Sequence, residues 1–109
     1  MKILEERKEL IYDGKTPLEK IFHNATSRII DFLITNQEYD YSIAQISEIT
    51  QIPIRTVHRL IPNLISNNLV KNRKVGNITM YKINTDNRLI GLLYNFVIES
   101  IKLDAQNNL

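Results

Sequence analysis

The sequence predicts a mainly α fold with one small β-hairpin, an α+β domain in the order helix, helix, turn, helix, hairpin, helix. Three observations carry this. Thr16-Pro17-Leu18-Glu19 and Ser42-Ile43-Ala44-Gln45 are capping boxes, which mark two helix starts. Val57, Leu60, Ile61, Leu64 and Ile65 recur at the spacing of one helical stripe. Two β-prone runs, Leu69 to Lys74 and Ile78 to Ile83, flank Val75-Gly76-Asn77, and Gly-Asn supplies the positive φ that a tight hairpin needs. A length of 109 residues suggests a single domain spanning 1–109.

Taken in order, residues 1–14 read as a short N-terminal helix with Ile3, Leu4, Leu10 and Ile11 on one side, stopped by Asp13-Gly14. The next helical pattern runs through Leu18, Ile21 and Phe22. It breaks near His23-Asn24 and resumes with Ile29, Ile30, Leu33 and Ile34. After the polar stretch Thr35 to Asp40, a short helix turns Ile43, Ile46 and Ile49 inward, and Thr50-Gln51-Ile52-Pro53 breaks it. A helix over 54–67 follows, ended by Asn67-Asn68. In the hairpin, Thr79, Tyr81 and Ile83 share one face, with Tyr81 and Ile83 on the core. Thr85-Asp86 is placed to cap a last helix over 87–104.

Charge is unevenly distributed. The 37 positions between Glu48 and Asp86 contain no acidic residue but carry Arg55, Arg59, Lys71, Arg73, Lys74 and Lys82. The rest of the chain holds all 12 carboxylates against the other eight basic residues, so a net +2 conceals a +6 segment joined to a −4 remainder. A positive face on a helix–turn–helix scaffold suits duplex DNA, because phosphate neutralisation supplies most non-specific affinity. Other classes fit less well. Without cysteine there is no disulfide, thiolate metal site or cysteine nucleophile. No apolar run reaches the length of a membrane span, and the N-terminus lacks the apolar core of a secretory signal, so the expectation is cytoplasmic. Three scattered glycines form no phosphate loop, and His23 and His58 fall on different elements. The close carboxylates Glu5-Glu6 and Glu38/Asp40 read as solubilising surface. These features argue against an enzyme, and no metal or cofactor is expected.

The run from Tyr41 to Val70 resembles the winged helix–turn–helix of small archaeal and bacterial transcriptional regulators of MarR- and ArsR-like type. Ser42, Ile43 and Ile46 match the scaffold helix, and Thr56, Val57, Arg59, Leu60 and Leu64 match the recognition helix. Leu69-Val70 and Tyr81-Lys82-Ile83 match the strands of the wing, so the resemblance covers residues 16–85. Gln51 stands where the pattern has a turn glycine, Pro53 where it has a capping serine or threonine, and Asn68 where it has glycine. Gln51 is therefore expected to take a left-handed conformation, and Pro62 to kink or loosen the recognition helix.

The resemblance implies a double-stranded DNA partner, with helix 54–67 in the major groove and the hairpin 69–83 on the backbone or in the minor groove. The apolar stripe leaves Arg55, Thr56, His58, Arg59 and Asn63 on the other faces. An arginine there can make a bidentate contact to guanine. Arg73, Lys74 and Asn77 are the wing candidates, and Ser42 adds a phosphate contact to its capping role. Lys82 reads as surface charge, and the DNA face is expected to expose no apolar residue. The alternatives are a winged helix used for protein–protein contact, or a plasmid or viral replication initiator.

The last helix carries Leu89, Ile90, Leu92, Leu93, Phe96, Val97, Ile98, Ile101 and Leu103, more than one face can use. This predicts a homodimer seam through Leu89, Leu93, Phe96, Val97 and Ile101, helped by the N-terminal helix.

Overall fold

The computed structural model describes residues 2–4, 9–11 and 17–107. In chain order its elements are strands β1 (Lys2–Leu4) and β2 (Glu9–Ile11), helices α1 (Pro17–Ile21), α2 (Ala25–Thr35), α3 (Ile43–Thr50) and α4 (Ile54–Ser66), strands β3 (Val70–Val75) and β4 (Ile78–Ile83), and helix α5 (Arg88–Asn107). Four of the five helices and the second hairpin follow the predicted order. The first segment does not. β1 and β2 pair antiparallel, with Ile3 opposite Leu10, where a helix was expected. An isolated helix of that length is marginal in water, whereas pairing two short β-branched runs satisfies backbone groups across a ladder. The predicted stop at Asp13-Gly14 and the cap at Thr16 lie outside the described residues.

Helix α2 is the central element. Every residue from Ile29 to Ile34 is buried, so the helix is covered nearly all round. Asn24 caps it, accepting the Ser27 N–H at 2.8 Å, and this cap accounts for the break after α1. The buried Asp31 carboxylate accepts the Leu18 N–H at 3.0 Å and so ties the start of α1 to the middle of α2. Phe32 packs on the fully buried Tyr41 with ring centroids 4.6 Å apart.

Helix α3 opens with the predicted capping box. The Ser42 hydroxyl accepts the Gln45 N–H, and the Gln45 side chain accepts the Ser42 N–H. It ends at Gln51, whose φ of 61° is the left-handed turn that the sequence demanded of a residue other than glycine. Helix α4 buries Val57, Ile61 and Leu64 in the core and half-buries Leu60 and Ile65. Pro62 does not end it. The helix continues to Ser66, because Leu64 and Ile65 anchor the last turn in the core despite the missing donor to the His58 carbonyl. Asn68 then takes φ 60°, with Asn68 N–H on the Ile65 carbonyl and Leu69 N–H on the Leu64 carbonyl. That pattern is a Schellman closure, which explains how asparagine replaces the usual glycine.

β3 and β4 pair antiparallel from Val70–Ile83 at the base to Val75–Ile78 at the tip, leaving a two-residue turn. Gly76 has φ 64° and Asn77 does not share the positive φ, as in a type II′ turn. Tyr41 bridges Tyr81 and adds a third strand position. Helix α5 begins one residue later than predicted and runs three further. Its cap is Asn87, whose side chain accepts the Leu89 N–H at 2.9 Å, in place of Thr85-Asp86. Asn84 and Asn87 both donate to the Asn68 carbonyl, fastening the end of α4 to the start of α5.

Pro62 is exposed, so replacing it removes a backbone defect without opening a cavity. Pro62→Ala is expected to raise the unfolding free energy by about 1–3 kcal/mol, read from urea denaturation at an unchanged m-value. A loss of stability would contradict this account of α4.

Candidate nucleic-acid interface

Helix α4 owes its orientation to its stripe. With Val57, Ile61 and Leu64 inside, helical geometry turns Arg55, Arg59, Pro62 and Ser66 directly outward. Arg55 and Arg59 sit one turn apart on that ridge, with Cβ atoms about 5–6 Å from each other. His58 and Asn63 flank the ridge and are also exposed. Thr56 is half-buried at the edge of the stripe. The Asn63 side-chain oxygen accepts from Asn67 at 3.2 Å. Among the described residues no ion pair engages Arg55 or Arg59.

In the hairpin, residues opposite one another share a face and neighbours alternate. Lys74 lies on the face of Thr79, Asn72 and Tyr81, which leads down to the core residues Val70 and Ile83. Arg73 lies on the opposite, outer face with Lys71, Met80 and Lys82. The two predicted wing contacts therefore point to opposite sides. Asn77 is exposed at the tip.

The acid-free segment is not free of acids in space. Arg73 Nε donates to Asp40 Oδ2 at 2.5 Å, and Lys71 Nζ to Asp86 Oδ2 at 2.5 Å. Both carboxylates come from outside the segment, Asp86 at its boundary and Asp40 from the loop before α3. Asp40 thus has an ion-pair role where the sequence reading made it a solubilising charge. It lines an open groove of about 500 Å³ between the α2–α3 loop and the outer face of the hairpin, with Glu38, Lys71, Arg73 and Lys82. The hydrogen bond from Arg73 holds the Asp40 carboxyl below its ordinary 3.8, and Lys71 does the same for Asp86. Lys74 has no such partner among the described residues.

The face also exposes apolar residues that the sequence reading did not expect. Ile54 is 48% exposed at the start of α4, and Val75 and Ile78 are 49% and 57% exposed where they face each other beside the turn. Period-2 alternation from Arg73 already places Val75 on the outer face, so the signal was present.

Helix α5 divides into two sides. Val97 and Ile90 are in the core, and Leu93 and Ile101 pack against it, so these three of the five predicted seam residues (Leu93, Val97 and Ile101) serve the monomer. The burial of α2 requires a cover, and α5 provides it. Leu89, Leu92, Phe96 and Leu103 remain exposed, at intervals of three, four and seven residues, and Leu92 reaches 68%. Ile21 and Phe22, at the end of α1, are exposed as well. No described helix is long and apolar enough to cross a membrane. No group of three or more His, Cys, Asp or Glu among the described residues could hold a metal ion.

A scaffold helix, a left-handed turn, an outward-facing second helix and a two-stranded hairpin stand in the order of a winged helix–turn–helix, and solved structures match it. The chain has the winged helix–turn–helix fold. The homodimeric winged helix–turn–helix DNA-binding domain of a possible ArsR-family transcriptional regulator from Mycobacterium bovis superposes with a TM-score of 0.54, at 20% identity over 79% of this chain and 76% of that one. A variant of ZitR from Lactococcus lactis in complex with DNA gives 0.58, at 18% identity over 94% of this chain and 70% of that one. A predicted DNA-binding transcriptional regulator from E. coli gives 0.52, at 17% identity over 72% and 83%. No protein-family model and no curated protein matches the chain. In this fold α4 occupies the recognition-helix position and β3–β4 is the wing.

Because the folded-state pKa of Asp40 is depressed, its contribution to stability is present above the unfolded value and is lost as pH falls through the folded one. A surface pair of this kind contributes roughly 0.2–1 kcal/mol. Asp40→Asn is therefore expected to lower the melting temperature slightly at neutral pH, with the difference from wild type vanishing in acid. A difference that persists unchanged to acid pH would exclude this linkage.

Proposed function

We propose that this chain is a sequence-specific double-stranded DNA-binding transcriptional regulator acting as a homodimer in the cytoplasm, without enzymatic activity. The observation that carries the reading is the outward ridge of α4, where Arg55 and Arg59 stand without an ion-pair partner among the described residues, in a segment that contains no acid. Arg55 and Arg59, with Thr56, His58 and Asn63 at the margins, read base edges in the major groove. The wing enters beside a minor groove with Asn77 at its tip. Since Lys74 and Arg73 face opposite ways, each addresses a different strand of the backbone. Ser42 caps α3 and leaves first-turn N–H groups for a phosphate. The similarity to a DNA complex and to a homodimeric DNA-binding domain supports this reading.

The dimer uses the exposed side of α5. Leu89, Leu92, Phe96 and Leu103 follow an a/d-like spacing, and Ile21 and Phe22 extend the patch. A two-fold pair would present its recognition helices about 34–36 Å apart and favour a pseudo-palindromic site.

A second reading has its own observation. The exposed Ile54, Val75 and Ile78 would suit a winged helix that binds another protein. A replication initiator would share the DNA chemistry of the first reading.

Fluorescence anisotropy with a labelled random-sequence duplex, titrated at several salt concentrations, separates DNA binding from protein binding. The expected result is affinity falling by roughly 0.9 log units per log unit of salt for each phosphate contacted. Lys74→Ala should lower that slope by about one unit on every sequence, while Arg59→Ala should weaken a selected site more than random DNA. Absence of binding at low salt would favour the protein-interaction reading. For the seam, Leu92→Glu should convert a dimer to a monomer by light scattering with the helical circular dichroism retained. A wild-type chain that is already monomeric at high micromolar concentration would sink the homodimer.

A further inference from the structure

The pairing of Arg73 with Asp40 bears on how the wing engages a phosphate, and it rests on the DNA-binding reading above. The two partners are unequally held. The Asp40 side chain is 19% exposed and that of Arg73 is 67% exposed. Asp40 is also fixed by its neighbour, because the Tyr41 N–H and carbonyl both bond to Tyr81, at 2.8 and 2.7 Å, which locks this stretch of chain onto β4. The carboxylate cannot follow the wing residue outward, whereas the long arginine side chain can swing. Asp40 is a carboxylate at neutral pH, and the hydrogen bond from Arg73, with a smaller contribution from Lys82, holds its carboxyl further below the ordinary range. Any phosphate that recruits Arg73 must therefore either displace a fixed carboxylate or sit beside it, and two like charges at such range repel. The pair of Lys71 and Asp86 lacks this property, since both side chains are more than half exposed and free to separate.

We propose that Asp40 is a built-in counter-ion of the wing. It competes with DNA phosphate for Arg73 and thereby holds down sequence-independent binding. The acid-free segment alone would make a surface that adheres to any duplex. The fold returns one carboxylate to the cation best placed on the outer wall of the wing. The base-reading arginines of α4 stay free, and Arg73 is withheld from the wing's contribution until a phosphate arrives in the geometry that outcompetes Asp40.

The test is a double-mutant cycle read by anisotropy on a random-sequence duplex across salt, with thermal melts verifying the fold of each variant. Asp40→Asn is expected to tighten binding several-fold at low salt and to steepen the salt slope by about 0.9. Arg73→Gln alone should weaken binding only slightly, because Arg73 is already neutralised. In the Arg73→Gln background, Asp40→Asn should change the dissociation constant less than about twofold, since the two residues act as a coupled pair. Asp40→Ser serves as a second variant and should behave like Asp40→Asn. Equal tightening in both backgrounds would overturn the proposal in favour of a plain net-charge effect. Weakening by Asp40→Asn would overturn it in favour of Asp40 orienting Arg73 for contact. If wild type and all variants fail to bind at low salt, the DNA reading itself falls and this inference with it, whereas binding with a flat cycle removes only the inference.

Discussion

The placement of α4 depends on a division that its sequence makes once per turn. Val57, Ile61 and Leu64 are driven out of water, and each such burial is worth about 1.5–3 kcal/mol. That term is large against the alternatives a single helix can reach by rotating. Turned by half a revolution, the same helix would bury Arg55 and Arg59, at the cost of two unpaired cations in the core. The arginines are therefore outward because the aliphatic side chains are inward. The Schellman closure at Asn68 and the amides of Asn84 and Asn87 then fix where the chain leaves the helix, and so where the wing begins. The interface needs no dedicated scaffold beyond this.

The electrostatics follow from the same geometry, although not from the sequence order. A segment without acids reads as uniformly positive along the chain. In space its wing lies against two carboxylates from outside the segment, Asp40 ahead of α3 and Asp86 at its far end. On α4, Arg55 and Arg59 have no ion-pair partner among the described residues. Charge is thus unscreened on the recognition helix and partly neutralised on the wing. Under the proposed function this imbalance would favour sequence discrimination, since base-reading contacts would then carry a larger share of the total than phosphate contacts do.

Most of the winged-helix core was legible because its signals are local. The capping box at Ser42, the stripe from Val57 to Ile65 and the Gly-Asn turn each occupy a few adjacent residues, and each forms where it was read. The outward placement of Arg55, His58, Arg59 and Asn63 on α4 was legible for the same reason, as the complement of the stripe. What escaped was non-local. Whether Ile3 and Leu10 share a helix face or oppose one another across strands depends on chain pairing, which periodicity over so short a run cannot decide. Asp40 and Arg73 are far apart in the chain and meet only because Tyr41 joins β4. In α5, composition alone spread the apolar residues around the helix. Only the position of α2 separates Val97, which it covers, from Leu92, which it leaves bare.

The outer side of α5 is left uncovered in a single copy. A helix whose inner side holds Ile90 and Val97 has met its obligation to the monomer, yet Leu89, Leu92, Phe96 and Leu103 continue an apolar row along its outer side. Isolated exposed apolar residues are ordinary, but Leu89, Leu92, Phe96 and Leu103 in one row form a patch of the kind that soluble monomers avoid. In the proposed homodimer a second copy would meet the patch with its own identical row, so a single set of residues would serve both sides of the seam. The rigid connection from α4 through the asparagine cluster to α5 then has a further consequence. In the proposed dimer it would set the separation and tilt of the two recognition helices from the seam, so half-site spacing would be encoded in the packing of α5 rather than in any residue that touches DNA.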